Sequence, residues 1–253
     1  MQISEPAYNY DKEGNSYSSY RRSDPKVYKY IKEALGDSKT VLNVGAGTGS
    51  YEPEDRYVCA VEPSAVMRAQ RNNDKVPAIN ANAMDLPFDD KSFDAAMTLV
   101  SLHHWPDIRK GLLELRRVSK GPVIILTSDP DEVSKFWLSE YIPEMVEIDK
   151  ARFPKINFIT EVLGGSCIVK HIPIPIDCTD GFNEAFYARP EAFLDPGVRK
   201  SQSFWAFVKP SAEKRCLEKL SHDIDSGKWH KKYGNLQNSP EFNGALRLIT
   251  CYP

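Results

Sequence analysis

The chain has no apolar run approaching the roughly 20 residues that a membrane-spanning helix needs, no internal repeat and no low-complexity tract. A formal net charge of −2 supplies no basic surplus of the kind that marks a nucleic-acid-binding face. Neither nucleic acid nor membrane is an expected partner. The five cysteines, Cys59, Cys167, Cys178, Cys216 and Cys251, are odd in number and scattered, without a Cys-x-x-Cys pair. That pattern predicts reduced thiols and argues against both a disulfide framework and a zinc site. Residues 1–13 are polar with acids among them, unlike a signal or transit peptide. A cytoplasmic protein is expected, and 253 residues suffice for one large α/β unit with elaborations.

What is present is an alternation of short apolar runs and helical patterns. Residues 1–23 carry Tyr8, Tyr10, Tyr17 and Tyr20 and end in Arg21-Arg22, too aromatic for a disordered leader, so they read as an ordered arm. Asp24 is an expected N-cap with Pro25 at the first helical position, and Val27, Ile31 and Leu35 recur every four residues before Gly36. Strands are expected at 40–44, 57–61, 76–80, 93–100, 122–127, 168–176 and 246–251, and helices begin at Ser64 and Asp107. This alternation calls for a mostly parallel, seven-stranded Rossmann-like sheet with helices on both faces. Pro173 and Pro175 remove ladder donors and suggest an edge position for their strand.

The densest signal is Val41 to Gly49, an apolar run that stops at Gly45, Gly47 and Gly49, with Glu62 at the end of the next run. Glycines admit a ligand against the backbone, and an acid at that place accepts hydrogen bonds from ribose hydroxyls. The glycines follow G-x-G-x-G, with Ser50 where the third glycine of the dinucleotide fingerprint would fall, and no Gly-Lys-Ser/Thr follows them. A dehydrogenase is disfavoured and a P-loop is excluded.

Asn82-Ala83-Met84-Asp85-Leu86-Pro87-Phe88, Ser92-Phe93-Asp94 and Leu102-His103-His104-Trp105-Pro106-Asp107 follow in order. With the glycine turn they resemble the signature regions of the class I S-adenosylmethionine-dependent methyltransferases, type 11. The resemblance implies S-adenosylmethionine as cofactor, S-adenosylhomocysteine as product and no metal. It places Gly45, Ala46 and Gly47 under the amino acid end and Glu62 and Pro63 at the ribose. The Asn82 side chain and Ala83 backbone would read the adenine edge, Met84 is a further cofactor-binding candidate, and Leu99 would lie beneath the methionine portion. Position 43 is usually acidic in the wider superfamily, and here it is Asn43. Tyr17, Tyr20 and Arg21 resemble a Tyr-x-x-Tyr-Arg leader that closes over the cofactor. Asp177 to Phe182, Arg189 to Pro196 and Asp223 to Trp229 resemble a subgroup of the same family.

The expected organisation is a single domain over 1–253: arm 1–23, cofactor-binding core 24–128, cap insertions 129–155 and 180–240, and a last strand within 244–252. Methyl transfer asks mainly for positioning, since the sulfonium is already activated. His103 and His104 follow the fourth strand and are candidate bases, against the plainer reading that they pack or hydrogen-bond the loop. Asp177, Asp180, Tyr187 and Arg189 form a second constellation; with Trp105, its Asp177, Tyr187 and Arg189 are candidates to meet a small-molecule acceptor. The competing reading is an internal Asp177–Arg189 pair that fixes the cap. A small-molecule methyltransferase and a non-catalytic S-adenosylmethionine-binding protein both fit these motifs. The acceptor and the oligomeric state have no signature in the sequence.

Overall fold

A computed structural model of the chain describes residues 9–13 and 17–253. Tyr8 and the other arm residues at 1–7 and 14–16 lie outside the described residues. The arm supplies two short helices, α1 (Tyr10–Glu13) and α2 (Tyr17–Tyr20), before α3 (Pro25–Leu35). Asp24 caps α3, its Oδ1 accepting from the amides of Lys26 and Val27 at 2.9 and 3.1 Å. Val27, Ile31 and Leu35 form its buried stripe, and Gly36 ends it.

Next come β1 (Thr40–Val44), β2 (Tyr57–Val61), α4 (Ala65–Ala69), β3 (Ala95–Leu99), α5 (Ile108–Val118) and β4 (Val123–Ser128). The hydroxyl of Ser64 and the carboxylate of Asp107 cap α4 and α5, each accepting a backbone N–H three residues on. The segment expected as a strand at 76–80 makes only an isolated bridge, Val61 to Ile79. Among the described residues the main sheet therefore has six strands, in the order β2-β1-β3-β4-β8-β5, rather than seven. Its first four strands are parallel, and β8 (Leu246–Tyr252) runs antiparallel to both β4 and β5 (Ser166–His171). β5 is an edge strand, as is β2 at the other side of the sheet. Pro173 and Pro175 lie just beyond it, Pro175 in the two-residue strand β6 (Ile174–Pro175) that pairs with β7 (Glu241–Phe242).

Side chains alternate across the sheet. Leu42, Val123 and Ile125 pack with Leu112, Leu115 and Val118 of α5 and with Ile159 and Leu163 of α7 (Ile156–Leu163). Val41, Ile124 and Leu126 face the other way, onto α3 and the aromatic interior of the insertions. The first insertion supplies 3₁₀ turns and α6 (Glu144–Arg152). The second adds further 3₁₀ turns and α8 (Pro196–Lys200), α9 (Pro210–Asp225) and α10 (Lys228–Tyr233). Trp137, Tyr187, Phe193 and Trp229 are buried where the two insertions meet, so the cap and one face of the sheet share a core.

One expectation is corrected here. Cys167 and Cys251 are joined by a disulfide, with Cα atoms 4.1 Å apart. They are register partners on β5 and β8, and antiparallel pairing sets such partners side by side. Cys59, Cys178 and Cys216 are free thiols.

Candidate functional site

The chain leaves β1 into a turn in which the amides of Gly45 and Ala46 both donate to the carbonyl of Val61, at 2.9 Å each. Gly45 has φ +69°, and a Cβ there would lie 2.0 Å from Ser101 Oγ, so no other residue fits without rearrangement. The Glu62 carboxylate is fixed from two sides: Gly47 N donates to Oε2 at 2.9 Å and Ser64 N to Oε1 at 2.8 Å. Burial raises its pKa while these two backbone donors act in the opposite direction. Each oxygen keeps a lone pair for a further donor, the arrangement a pair of vicinal hydroxyls requires.

These groups open onto a cavity of about 400 Å³ at the carboxyl ends of β1, β2 and β3. Asn82, Ala83 and Met84 line one end. The side-chain carbonyl of Asn82 already accepts from Met84 N at 2.9 Å, which leaves its amide N–H groups for a ligand. Leu99, Ser101 and Trp105 line the floor, with Trp105 Nε1 donating to Ser101 Oγ at 3.1 Å. Asn43 donates to Glu52 Oε1 at 3.0 Å, and Glu52 in turn is paired with Arg71 at 2.8 Å. A buried acid thus sits beside Asn43, but its charge is matched by a buried guanidinium.

The arm closes this cavity. Tyr10, Asp11, Tyr17 and Arg21 line it, and Asp11 accepts from Ser64 Oγ at 2.6 Å. Arg21 lies 5.3 Å from the centre of the Tyr17 ring and donates to Asp180 Oδ1 at 2.6 Å; Asp180 Oδ2 accepts from Tyr51 at 3.0 Å. Asp180 raises the Arg21 pKa against the effect of burial. Tyr20 takes a different place. Its hydroxyl rests on Gly197 of α8, where a Cβ would come within 1.9 Å of it.

A second, smaller cavity of about 70 Å³ adjoins the first and shares Tyr10, Arg21 and Val100 with it. Phe136, Phe153, Phe182 and Phe204 wall it, and His103, Asp149 and Glu184 also line it. The two histidines divide between the cavities. His104 borders the large one, 2.9 Å from the Tyr10 hydroxyl, and burial pushes its pKa down to about 3. His103 borders the small one, stacked on Phe153 at 4.2 Å, and burial also holds it well below the ordinary histidine range. Both are neutral imidazoles at physiological pH.

The remaining constellation is held elsewhere. Asp177 pairs with Lys26 at 2.7 Å on the surface, rather than with Arg189. Arg189 donates to the carbonyls of Cys178 and Ala185 at 3.0 and 2.7 Å. Tyr187 is buried, stacked on Phe242, and donates to the carbonyl of Ser239 at 2.7 Å. None of the three lines either cavity, and Trp105 borders only the large one. Asp149 and Glu184 of the small cavity have no motif around them, and only their placement by the fold distinguishes them from other acids. Among the described residues no group of three or more His, Cys, Asp or Glu side chains is arranged to hold a metal ion.

A mainly parallel sheet with a glycine turn after its first strand, an acid after its second and an Asn-Ala pair beyond is the architecture of the class I S-adenosylmethionine-dependent methyltransferases, and this chain shares it. Residues 42–126 match the type 11 family, described as a methyltransferase domain. The solved structure of a putative methyltransferase from an antibiotic biosynthesis pathway of Anabaena variabilis is 29% identical, with a TM-score of 0.84 over 91% of this chain and 98% of that one. An uncharacterized protein of Methanocaldococcus jannaschii is 26% identical over 63% of this chain and 66% of its own length. A demethylmenaquinone methyltransferase of Clavibacter sepedonicus is 38% identical over 34% of this chain and 39% of its own. The chain thus spans less than two thirds of the length of these curated relatives. Among the described residues no helix is long and apolar enough to cross a membrane.

Proposed function

We propose that the protein transfers a methyl group from S-adenosylmethionine to a small molecule. The single observation that carries this reading is the second cavity, which adjoins the first and is walled by aromatic rings together with His103, Asp149 and Glu184. A protein that only bound the cofactor would have its cap packed solid at that place. In this reading the large cavity holds the cofactor, with the ribose on Glu62, the adenine at Asn82 to Met84 and the amino acid end over Gly45 to Gly47. Tyr10, Tyr17 and Arg21 of the arm cover it, while insertions 129–155 and 180–240 form the far wall.

S-adenosylmethionine supplies the activated methyl group. The chain's own part is to hold the acceptor in line and exclude water, which the aromatic walls and the arm are placed to do. Neutral His103 can accept a proton but, with its pKa held low, is a weak base, so positioning carries most of the rate.

Calorimetry tests the reading. S-adenosylhomocysteine should bind one to one, and Glu62→Gln should weaken it by roughly ten-fold to a hundred-fold, the equivalent of one charge-assisted hydrogen bond. No binding to the unaltered protein would overturn the proposal, and unchanged affinity in the variant would remove Glu62 from the ribose.

A further inference from the structure

The small cavity contains an imbalance of charge. Asp149 is 5% exposed and Glu184 7%, and both border the cavity. Met145 and Asp149 lie four residues apart on α6, so the helix presents both to the same interior face. Asp149 makes no side-chain hydrogen bond or ion pair among the described residues. Glu184 takes one backbone donor, Ala245 N, at 2.9 and 3.0 Å from its two oxygens. That approach depends on Gly244, where a Cβ would fall 2.3 Å from Glu184 Oε1.

The cations around the cavity are engaged with other groups. Arg21 is paired with Asp180. Arg152 donates to Ser203 at 2.9 Å and lies over Phe207 at 4.5 Å. Arg247 faces Asp129 and Glu132 at 3.6 and 3.5 Å. His103 is neutral. Burial pushes the pKa of both acids up to about 7, although the Arg152 charge draws Asp149 down and the Ala245 amide and Arg247 charge draw Glu184 down; for Glu184 the charge of Asp149 adds to the rise.

Three kinds of acceptor can be weighed against this cavity. An anion would meet two acids with no cation committed to it. A neutral apolar molecule would leave the Asp149 carboxyl buried and unpartnered, a costly state. A cation supplies the missing charge and N–H donors, and it also gains from ring faces. We propose that the cavity takes a small acceptor carrying a protonated basic nitrogen, its N–H groups on Asp149 and Glu184 and its apolar body among Phe136, Phe153 and Phe204. This inference rests on the reading of the adjoining cavity as the cofactor site.

Three probes of one shape and different charge test it: benzylamine, benzyl alcohol and benzoate, titrated calorimetrically into protein saturated with S-adenosylhomocysteine at about pH 8, where the acids are ionised and the amine is protonated. Benzylamine should bind at least roughly ten-fold more tightly than the alcohol, and benzoate most weakly. In Asp149→Asn the amine should fall to about the level of the alcohol; Glu184→Gln should reduce the preference in the same direction. Equal binding of amine and alcohol, preference for benzoate, no binding of any probe, or an amine preference untouched by both variants would each overturn it. Saturation with S-adenosylhomocysteine is established first, so loss of the amine preference sinks this inference alone, while failure to saturate sinks the cofactor reading beneath it.

Discussion

Val100 is a β-branched residue with φ +52°, a conformation that such side chains rarely adopt. Its amide donates to the carbonyl of Leu126 at 2.7 Å, and it borders both cavities. Strain of this kind persists only where its surroundings enforce it. Asp149 and Glu184 hold energy in another form. In the unfolded chain such acids titrate near 4, whereas in the fold both are raised to about 7. The folded state therefore binds more protons between those values. The associated stability is complete below the unfolded pKa and is lost as pH rises through about 7. The urea midpoint of the unaltered protein should fall from about pH 5 to about pH 8, and Asp149→Asn should flatten that fall. Parallel curves would mean that Asp149 is not a source of the slope.

Among the elements, the arm and the cap are joined by Arg21 and Asp180, both almost fully buried and 2.6 Å apart. Removing one partner of such a pair leaves a buried charge unmatched, so Arg21→Ala should cost on the order of 3 to 5 kcal/mol in urea unfolding. Adding Asp180→Asn should recover part of that loss, because the orphaned carboxylate is gone. A double variant no more stable than Arg21→Ala would show the pair to be incidental. How far the elements could be read in advance followed from how local their causes are. The Asp24, Ser64 and Asp107 caps, the stripe of α3 and the runs of β1 and β2 depend on residues within a turn or two, and all were legible. So was the position of Gly45, Glu62 and Asn82 around one cavity, because a turn, the end of β2 and the bridge at Ile79 fix their places. The Cys167–Cys251 bond depends on the register of two strands separated by 84 residues, which no local pattern reveals. Likewise Tyr187 and Arg189 looked available for a ligand, but the Tyr187 hydroxyl and Arg189 Nη2 donate to backbone carbonyls of Ser239, Cys178 and Ala185. Asp149 and Glu184 reach one cavity only because α6 and a 3₁₀ turn from different insertions converge there.

At the scale of the whole molecule, the placement of Tyr10, Tyr17 and Arg21 over the large cavity has a consequence for the order of events in a catalytic cycle. The arm is fastened at one end to the cap through Asp180 and at the other to Ser64 through Asp11, so what lies beneath it cannot exchange while both contacts hold. Tyr10 and Arg21 also contribute to the small cavity, which is complete only once the arm is down. Under the proposed function the nucleoside would enter before the acceptor and be the last species to leave, and its residence time would set the ceiling on turnover. Stopped-flow release of S-adenosylhomocysteine should accelerate by roughly ten-fold or more in protein lacking the residues before Ser23, with the association rate changing less. Release at the unaltered rate would mean that the spent cofactor departs by a route that leaves the arm in place.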